Sequence, residues 1–171
     1  MPVSTEDVKK LREETGAGVM DAKRALDEAD GDFAKAKAVL RERGIAAAAK
    51  RSERETGQGV VEAYIHGGGR IGVIVEVQCE TDFVARTDSF RQLAKDVAMQ
   101  VAAMNPLALT PEEVSAEALQ GRAGTPQENA LLTQAFIKDG TRTIQQLVQD
   151  VVATTGENVR VARFSRFELG A

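Results

Sequence analysis

The sequence predicts an α+β protein, in which a small helical module precedes an antiparallel sheet packed with helices. Three observations lead to this prediction. Apolar residues recur at helical spacing through residues 1–45, alternate with other residues over 59–79, and return to helical spacing over 90–101. The predicted boundaries are 1–45 for the helical module, 46–57 for a charged helical connector and 58–171 for the α+β core.

The first 45 residues predict three short helices. Ser4 is a candidate N-cap with Asp7 in the capping-box position, and Asp32 is a candidate N-cap for the third helix. Gly44 is the expected end of that third helix. The second helix has an apolar stripe at helical spacing, formed by Val19, Ala22, Ala25, Leu26 and Ala29.

The alternating segment predicts a β-hairpin with one buried face. Val61, Ala63 and Ile65 alternate before a glycine-rich turn at residues 66–70, and the alternation continues over residues 71–79. A third strand is expected within residues 158–169, where a break in the alternation near 163–165 indicates a bulge.

Helical patterns follow the hairpin. An amphipathic helix begins before Phe90 and is expected to stop near Pro106. The segments 110–113 and 125–128 repeat one helix-start signal of threonine, proline and glutamate. A last amphipathic helix is expected around residues 144–152. Together these patterns predict helices that cover one face of the sheet.

Composition excludes several classes of protein. A net charge of -4 and a pI near 5.2 argue against binding to a nucleic-acid backbone. Cys79 is the one cysteine, which excludes a disulfide within the chain and fits a reducing cytoplasm. We expect no membrane-spanning segment and no secretory signal, so the expected location is cytoplasmic.

Candidate catalytic groups are scarce in the sequence. The glycines at 67–69 lack the lysine and the following helix of a phosphate-binding loop. His66 is the one histidine, so neither a histidine-based catalytic arrangement nor a zinc site is predicted. We therefore expect a protein that is not an enzyme and that uses no metal or cofactor.

The joint between the second strand and the long helix is the candidate functional site. Asp82 and Phe83 occupy this joint, and such connections normally run over the surface. A carboxylate beside an exposed phenyl ring would suit the pocket of a partner protein. Two structural alternatives stay open, in which Asp82 caps a helix or Phe83 packs under the hairpin. Thr87 or Asp88 is better placed to cap the long helix.

Three segments of the chain resemble the elongation factor Ts family. They are residues 11–26, residues 73–85 with the sequence Thr-Asp-Phe-Val-Ala, and residues 163–170. Because the three lie in register across nearly the whole chain, the resemblance is specific. It implies that the helical module is similar to a ubiquitin-associated fold.

The resemblance also implies a partner, the translational GTPase elongation factor Tu. Arg12, Val19 and Met20 are implied to dock on its nucleotide-binding domain, although Val19 is equally compatible with a place in the core. Asp82 and Phe83 are implied to enter the partner beside its switch region and magnesium site. The remaining implied partner-binding residues are Thr81, Val84 and His66, the last of which could instead be a solvated turn residue.

The expected function is therefore guanine-nucleotide exchange on elongation factor Tu, with no direct contact to nucleic acid. The alternative is a non-catalytic adaptor built on the ubiquitin-associated-like module. The motif occurs once here, whereas longer family members carry two related core modules. That difference and the open edge of a three-stranded sheet predict a homodimer formed by the 58–171 core. Ser165 and the lone strand cysteine predict that this dimer is noncovalent.

Overall fold

The computed structural model describes residues 3–171 and confirms the α+β class. The chain forms two compact units, each with its own packing. The first unit comprises the residues up to Arg54 together with Gln149–Asn158, and the second comprises Glu55–Val148 and Val159–Ala171. Sequence reasoning did not anticipate that residues 149–158 join the first unit.

Three helices form the body of the first unit, α1 Thr5–Thr15, α2 Val19–Glu28 and α3 Phe33–Arg51. Ser4 and Asp7 form the predicted capping box, and the Asp32 carboxylate accepts from the backbone N–H groups of Ala34 and Lys35. The small core between these helices is made of Val8, Leu11, Ala22, Ala25, Leu26, Ala29 and Ala36.

Gly44 does not end the third helix, so that prediction was wrong. Helix α3 continues to Arg51 through an alanine-rich run, because alanine favours helix and compensates for one interior glycine. A Cβ atom at Gly44 would lie 3.6 Å from the Cβ atom of Ala153, which belongs to helix α7, Ile144–Thr155. The glycine thus lies at a helix-packing position within the first unit.

The second unit is built on a three-stranded antiparallel sheet with strand order β1-β2-β5. Strands β1 Gln58–His66 and β2 Ile71–Cys79 form the predicted hairpin, and β5 Arg160–Glu168 pairs with β2. The register between β2 and β5 shifts between Glu76 and Val77, which leaves Ala162 as the extra residue. The predicted bulge is present, one residue earlier than expected.

The first strand of the hairpin places Val61, Ala63 and Ile65 on the face opposite to the predicted one. The connection of four residues pairs His66 with Ile71, so Val61 lies opposite Glu76 and Ile65 opposite Gly72. The buried face is formed by Val73, Val75, Val77 and Cys79 of β2. The other face, which we call the outer sheet face, leaves the following side chains exposed: Val61, Ile65, Ile74 and Phe167.

Helices cover the buried face of the sheet. The long helix α5, Asp88–Met104, is capped by Thr87 as expected and ends at Asn105, which adopts a left-handed conformation. Arg166 of β5 donates two hydrogen bonds to the carbonyl oxygen of Ala102, each 3.2 Å long. These contacts fix the end of the helix against the sheet.

The two repeated start signals produce capping boxes but only single helical turns. They are the 3-10 turn Pro111–Glu113 and helix α6, Pro126–Asn129. A second 3-10 turn, Leu131–Thr133, leads into a small hairpin of strands β3 Ala135–Phe136 and β4 Asp139–Thr143. The fully buried Gln100 amide joins α5 to this region by donating to the Ala135 carbonyl and accepting from the Ile137 N–H.

Candidate partner-binding site

A single helical turn forms the corner between sheet and helix. Strand β2 ends at Cys79, and helix α4, Asp82–Ala85, follows after two residues. The Thr81 hydroxyl accepts a hydrogen bond from the Val84 N–H at 3.4 Å. The Thr87 hydroxyl donates to the Val84 carbonyl oxygen at 2.7 Å, and the Cys79 thiol donates to the Thr81 carbonyl oxygen at 3.1 Å. The backbone of the corner is therefore held from both ends.

Within the corner, some side chains are buried and others project into solvent. The side chain of Phe83 is 78% exposed, so the alternative in which it packs under the hairpin is wrong. Val84 and Ala85 point inward and are buried. Thr81, rather than Asp82, is the N-cap of the turn. The structure thus brings Asp82 and Phe83 together on one outward corner.

Asp82 forms an ion pair within the corner. Its Oδ2 atom lies 2.9 Å from Nη2 of Arg86, one helical turn later; the Arg86 side chain is exposed and that of Asp82 is half-buried. Sequence reasoning missed Arg86, although an acidic residue four positions before a basic one is a recognisable helical pair. The pair places a positively charged guanidinium beside the Asp82 carboxylate.

His66 lies far from this corner. It is the exposed last residue of β1 rather than part of the turn, and its Nδ1 atom lies 2.9 Å from the Tyr64 hydroxyl. The two rings stack with their centroids 5.8 Å apart. Gln58 pairs with Cys79 and His66 with Ile71, so the length of β1, roughly 26 Å, separates His66 from the corner.

The candidate docking residues of the helical unit are exposed. Val19 and Met20 begin α2 and are 52% and 60% exposed, while Arg12 lies on the surface of α1. Val19 therefore does not join the core, although it follows the helical spacing of Ala22, Ala25 and Leu26. Two neighbouring apolar side chains remain available at the surface of this unit.

Residues 3–171 contain no group of three or more histidine, cysteine, aspartate or glutamate residues arranged to hold a metal ion. Over the same residues, no helix combines the length and the apolar character needed to cross a membrane.

The fold and the corner define an α+β protein with a separate helical unit and exposed aromatic and aliphatic groups suited to protein contact. The sequence model described as Elongation factor TS matches residues 34–125. Elongation factor Ts of Heliobacterium modesticaldum is 50% identical over 194 aligned positions, which cover 98% of this chain and 90% of the relative. Elongation factor Ts of Rubrobacter xylanophilus is 47% identical, covering 99% of this chain and all of the relative. This chain belongs to the elongation factor Ts family, a family of protein-biosynthesis factors.

The alignments also reveal a difference in length. The alignment to the Heliobacterium relative has 194 positions, whereas this chain has 171 residues. The same holds for elongation factor Ts of Desulforamulus reducens, which is 50% identical over 194 positions. These relatives therefore contain residues that have no counterpart in this chain.

Proposed function

We propose that this protein is a guanine-nucleotide exchange factor for elongation factor Tu, which promotes release of GDP during translation elongation. The observation that carries the proposal is the exposure of Phe83 beside Asp82 on a corner whose backbone is fixed by Thr81 and Thr87. Membership of the elongation factor Ts family supports the choice of partner. We also propose a cytoplasmic location, because translation elongation takes place there.

The proposed mechanism involves no covalent chemistry in this chain. Phe83 enters an apolar pocket of the partner, and Asp82 accompanies it towards the switch region and the magnesium site. Magnesium bridges the nucleotide phosphates to the GTPase, so displacement of its surroundings weakens nucleotide binding. The energy comes from tighter binding to the nucleotide-free partner, and reciprocity then requires a lower affinity for nucleotide.

The eight predicted partner-binding residues divide into distinct roles. Phe83 and Asp82 make the exchange contacts, whereas Thr81 and the buried Val84 hold the turn that presents them. Arg12, Val19 and Met20 dock the helical unit on the nucleotide-binding domain of the partner. We assign His66 to a separate contact, because it lies at the far end of β1.

Release of a labelled GDP from elongation factor Tu tests this function. Wild-type protein at substoichiometric concentration should accelerate release and be reused, since an exchange factor dissociates when new nucleotide binds. It should also bind the nucleotide-free partner more tightly than the GDP-bound partner. An adaptor without exchange activity would bind both states equally and leave the release rate unchanged.

We also propose that the protein forms a noncovalent homodimer through the outer sheet face. Ile74 and Phe167 lie on neighbouring strands of this face and are exposed, and Val61 and Ile65 extend the apolar surface across β1. Large exposed apolar patches are uncommon on monomers and mark protein contacts. The buried Cys79 leaves no accessible thiol among residues 3–171 for a disulfide between copies.

Sedimentation equilibrium tests the dimer. Ile74→Asp places a charge at the centre of the face and should convert a dimer to a monomer without unfolding it. Met104→Asp is the matched control, because Met104 is a similarly exposed apolar residue on α5. A wild-type protein that sediments as a monomer at micromolar concentration would refute the dimer and leave the exchange proposal standing.

A further inference from the structure

Arg86 forms an ion pair with the Asp82 carboxylate. Within residues 3–171, the ion pair that the structure gives Asp82 is the one with Arg86, at 2.9 Å. The acidic residue precedes the basic one by four positions, which is the favourable direction for such a pair on a helix.

The other contacts of the corner fix the backbone but not this carboxylate. Thr81 caps the turn through the Val84 N–H, and Val84 anchors it in the core. The N–H of Arg86 donates to the carbonyl oxygens of Asp82 and Phe83, at 3.2 and 3.3 Å. The guanidinium therefore extends from a fixed point back to the carboxylate.

The ion pair should lower the cost of burying the Asp82 carboxylate against a partner. A lone carboxylate that enters a protein surface loses water without compensation, which is costly. A carboxylate that carries its own guanidinium keeps a counter-charge during that step. The exposed Arg86 lies on the same corner as Asp82 and Phe83 and pairs with the Asp82 carboxylate there.

We infer that Arg86 is a positioning residue, which holds the Asp82 carboxylate beside Phe83 before and during entry into a partner surface. The inference rests on the proposed exchange function. It assigns Arg86 no direct contact with nucleotide or magnesium. Its effect should therefore appear in the maximal rate of GDP release rather than in the concentration needed for half-maximal release.

The test is a titration of labelled GDP release from elongation factor Tu with three variants of the full chain. Arg86→Met keeps the length of the side chain and removes its charge, so the maximal rate should fall about two- to fivefold. Arg86→Lys should restore most of that loss. Arg91→Met is the control, since Arg91 is an exposed arginine on the next helix, and its rate should match wild type.

A double-mutant cycle separates positioning from a general loss of charge or fold. Adding Arg86→Met to Asp82→Ala should slow release no further, because the group that Arg86 orients is already absent. Equal effects of Arg86→Met with and without Asp82 would overturn the inference. A raised half-maximal concentration with an unchanged maximal rate would also overturn it, by indicating a direct contact of Arg86 with the partner.

The same titration distinguishes failure of the inference from failure of the proposed function. If wild type accelerates release and Arg86→Met is equally fast, only the role of Arg86 is refuted. If wild type leaves GDP release unchanged, the exchange function is refuted and the inference falls with it.

Discussion

The Thr81 hydroxyl accepts a hydrogen bond from the Val84 N–H and so closes the helical turn from which Phe83 projects. This turn is only four residues long, too short to be stable by helix propagation alone. The Thr81 cap and the buried Val84 side chain therefore hold the turn that carries Phe83.

Loss of this cap should slow exchange. Replacement of a threonine N-cap by alanine costs about 1 kcal/mol, so Thr81→Ala should lower the rate of GDP release by about fivefold. Thr81→Ser keeps the accepting oxygen and should be close to wild type. Exchange assays on both variants check this, and equal rates for wild type and Thr81→Ala would show that the cap does not matter.

The helical unit should affect the affinity for elongation factor Tu rather than the rate of the exchange step. Met20→Asp removes an exposed apolar contact and should raise the concentration for half-maximal GDP release by about tenfold, with little change in the maximal rate. Ala34→Asp places the same charge at another exposed helical position and serves as the control. A lower maximal rate at saturating Met20→Asp would contradict a pure docking role.

Gly59 should be intolerant of any side chain. A Cβ atom there would lie 2.1 Å from the Val77 carbonyl oxygen, and its φ of +152° disfavours other residues. Gly59→Ala should therefore destabilise the sheet by roughly 2 kcal/mol. Gly140→Ala is the control, since its Cβ atom would meet nothing within 4 Å. Chemical unfolding compares the two, and equal stabilities would contradict the close approach of β1 and β2.

The outer sheet face carries one pH-dependent contribution to stability. Hydrogen bonds from Arg163 and then Gln78 lower the pKa of Glu76 below its ordinary value of 4.5. A carboxyl group whose pKa is lowered by folding stabilises the folded state above its unfolded pKa, and this stabilisation is lost as the pH falls through the folded pKa. Glu76→Gln should therefore unfold with a weaker dependence on pH below 4.5. Thermal unfolding over that range checks the slope, and parallel curves for both proteins would refute the assignment.

Sequence patterns predicted the elements of this fold well where local chemistry decides them. Ser4, Asp32 and Thr87 cap their helices as expected, because a cap depends on residues within one turn. The prediction failed at Gly44, because the alanine-rich run after it continues helix α3 to Arg51. The prediction also failed for the side of the sheet on which Val61 lies. The number of residues in the hairpin connection sets the register, and alternation alone does not determine it.

The position of the candidate site in the chain could be predicted from the sequence, but the exposure and pairing of its side chains could not. The change from strand to helix periodicity, together with the family resemblance, predicted a connection at Asp82 and Phe83. The exposure of Phe83 and of Val19 depended on tertiary packing, which a helical stripe does not specify. The pairing of Asp82 with Arg86 required a turn whose existence the sequence alone left open.

Comparison of Phe83→Ala with wild type in GDP release from elongation factor Tu tests the central claim most directly. Since Phe83 is exposed, the variant should keep the wild-type unfolding midpoint, while Met104→Ala controls for loss of another exposed apolar group. Because the proposed complex buries the Phe83 ring in the partner, its loss should slow GDP release by about thirtyfold. A folded Phe83→Ala protein that accelerates release as well as wild type would contradict the account.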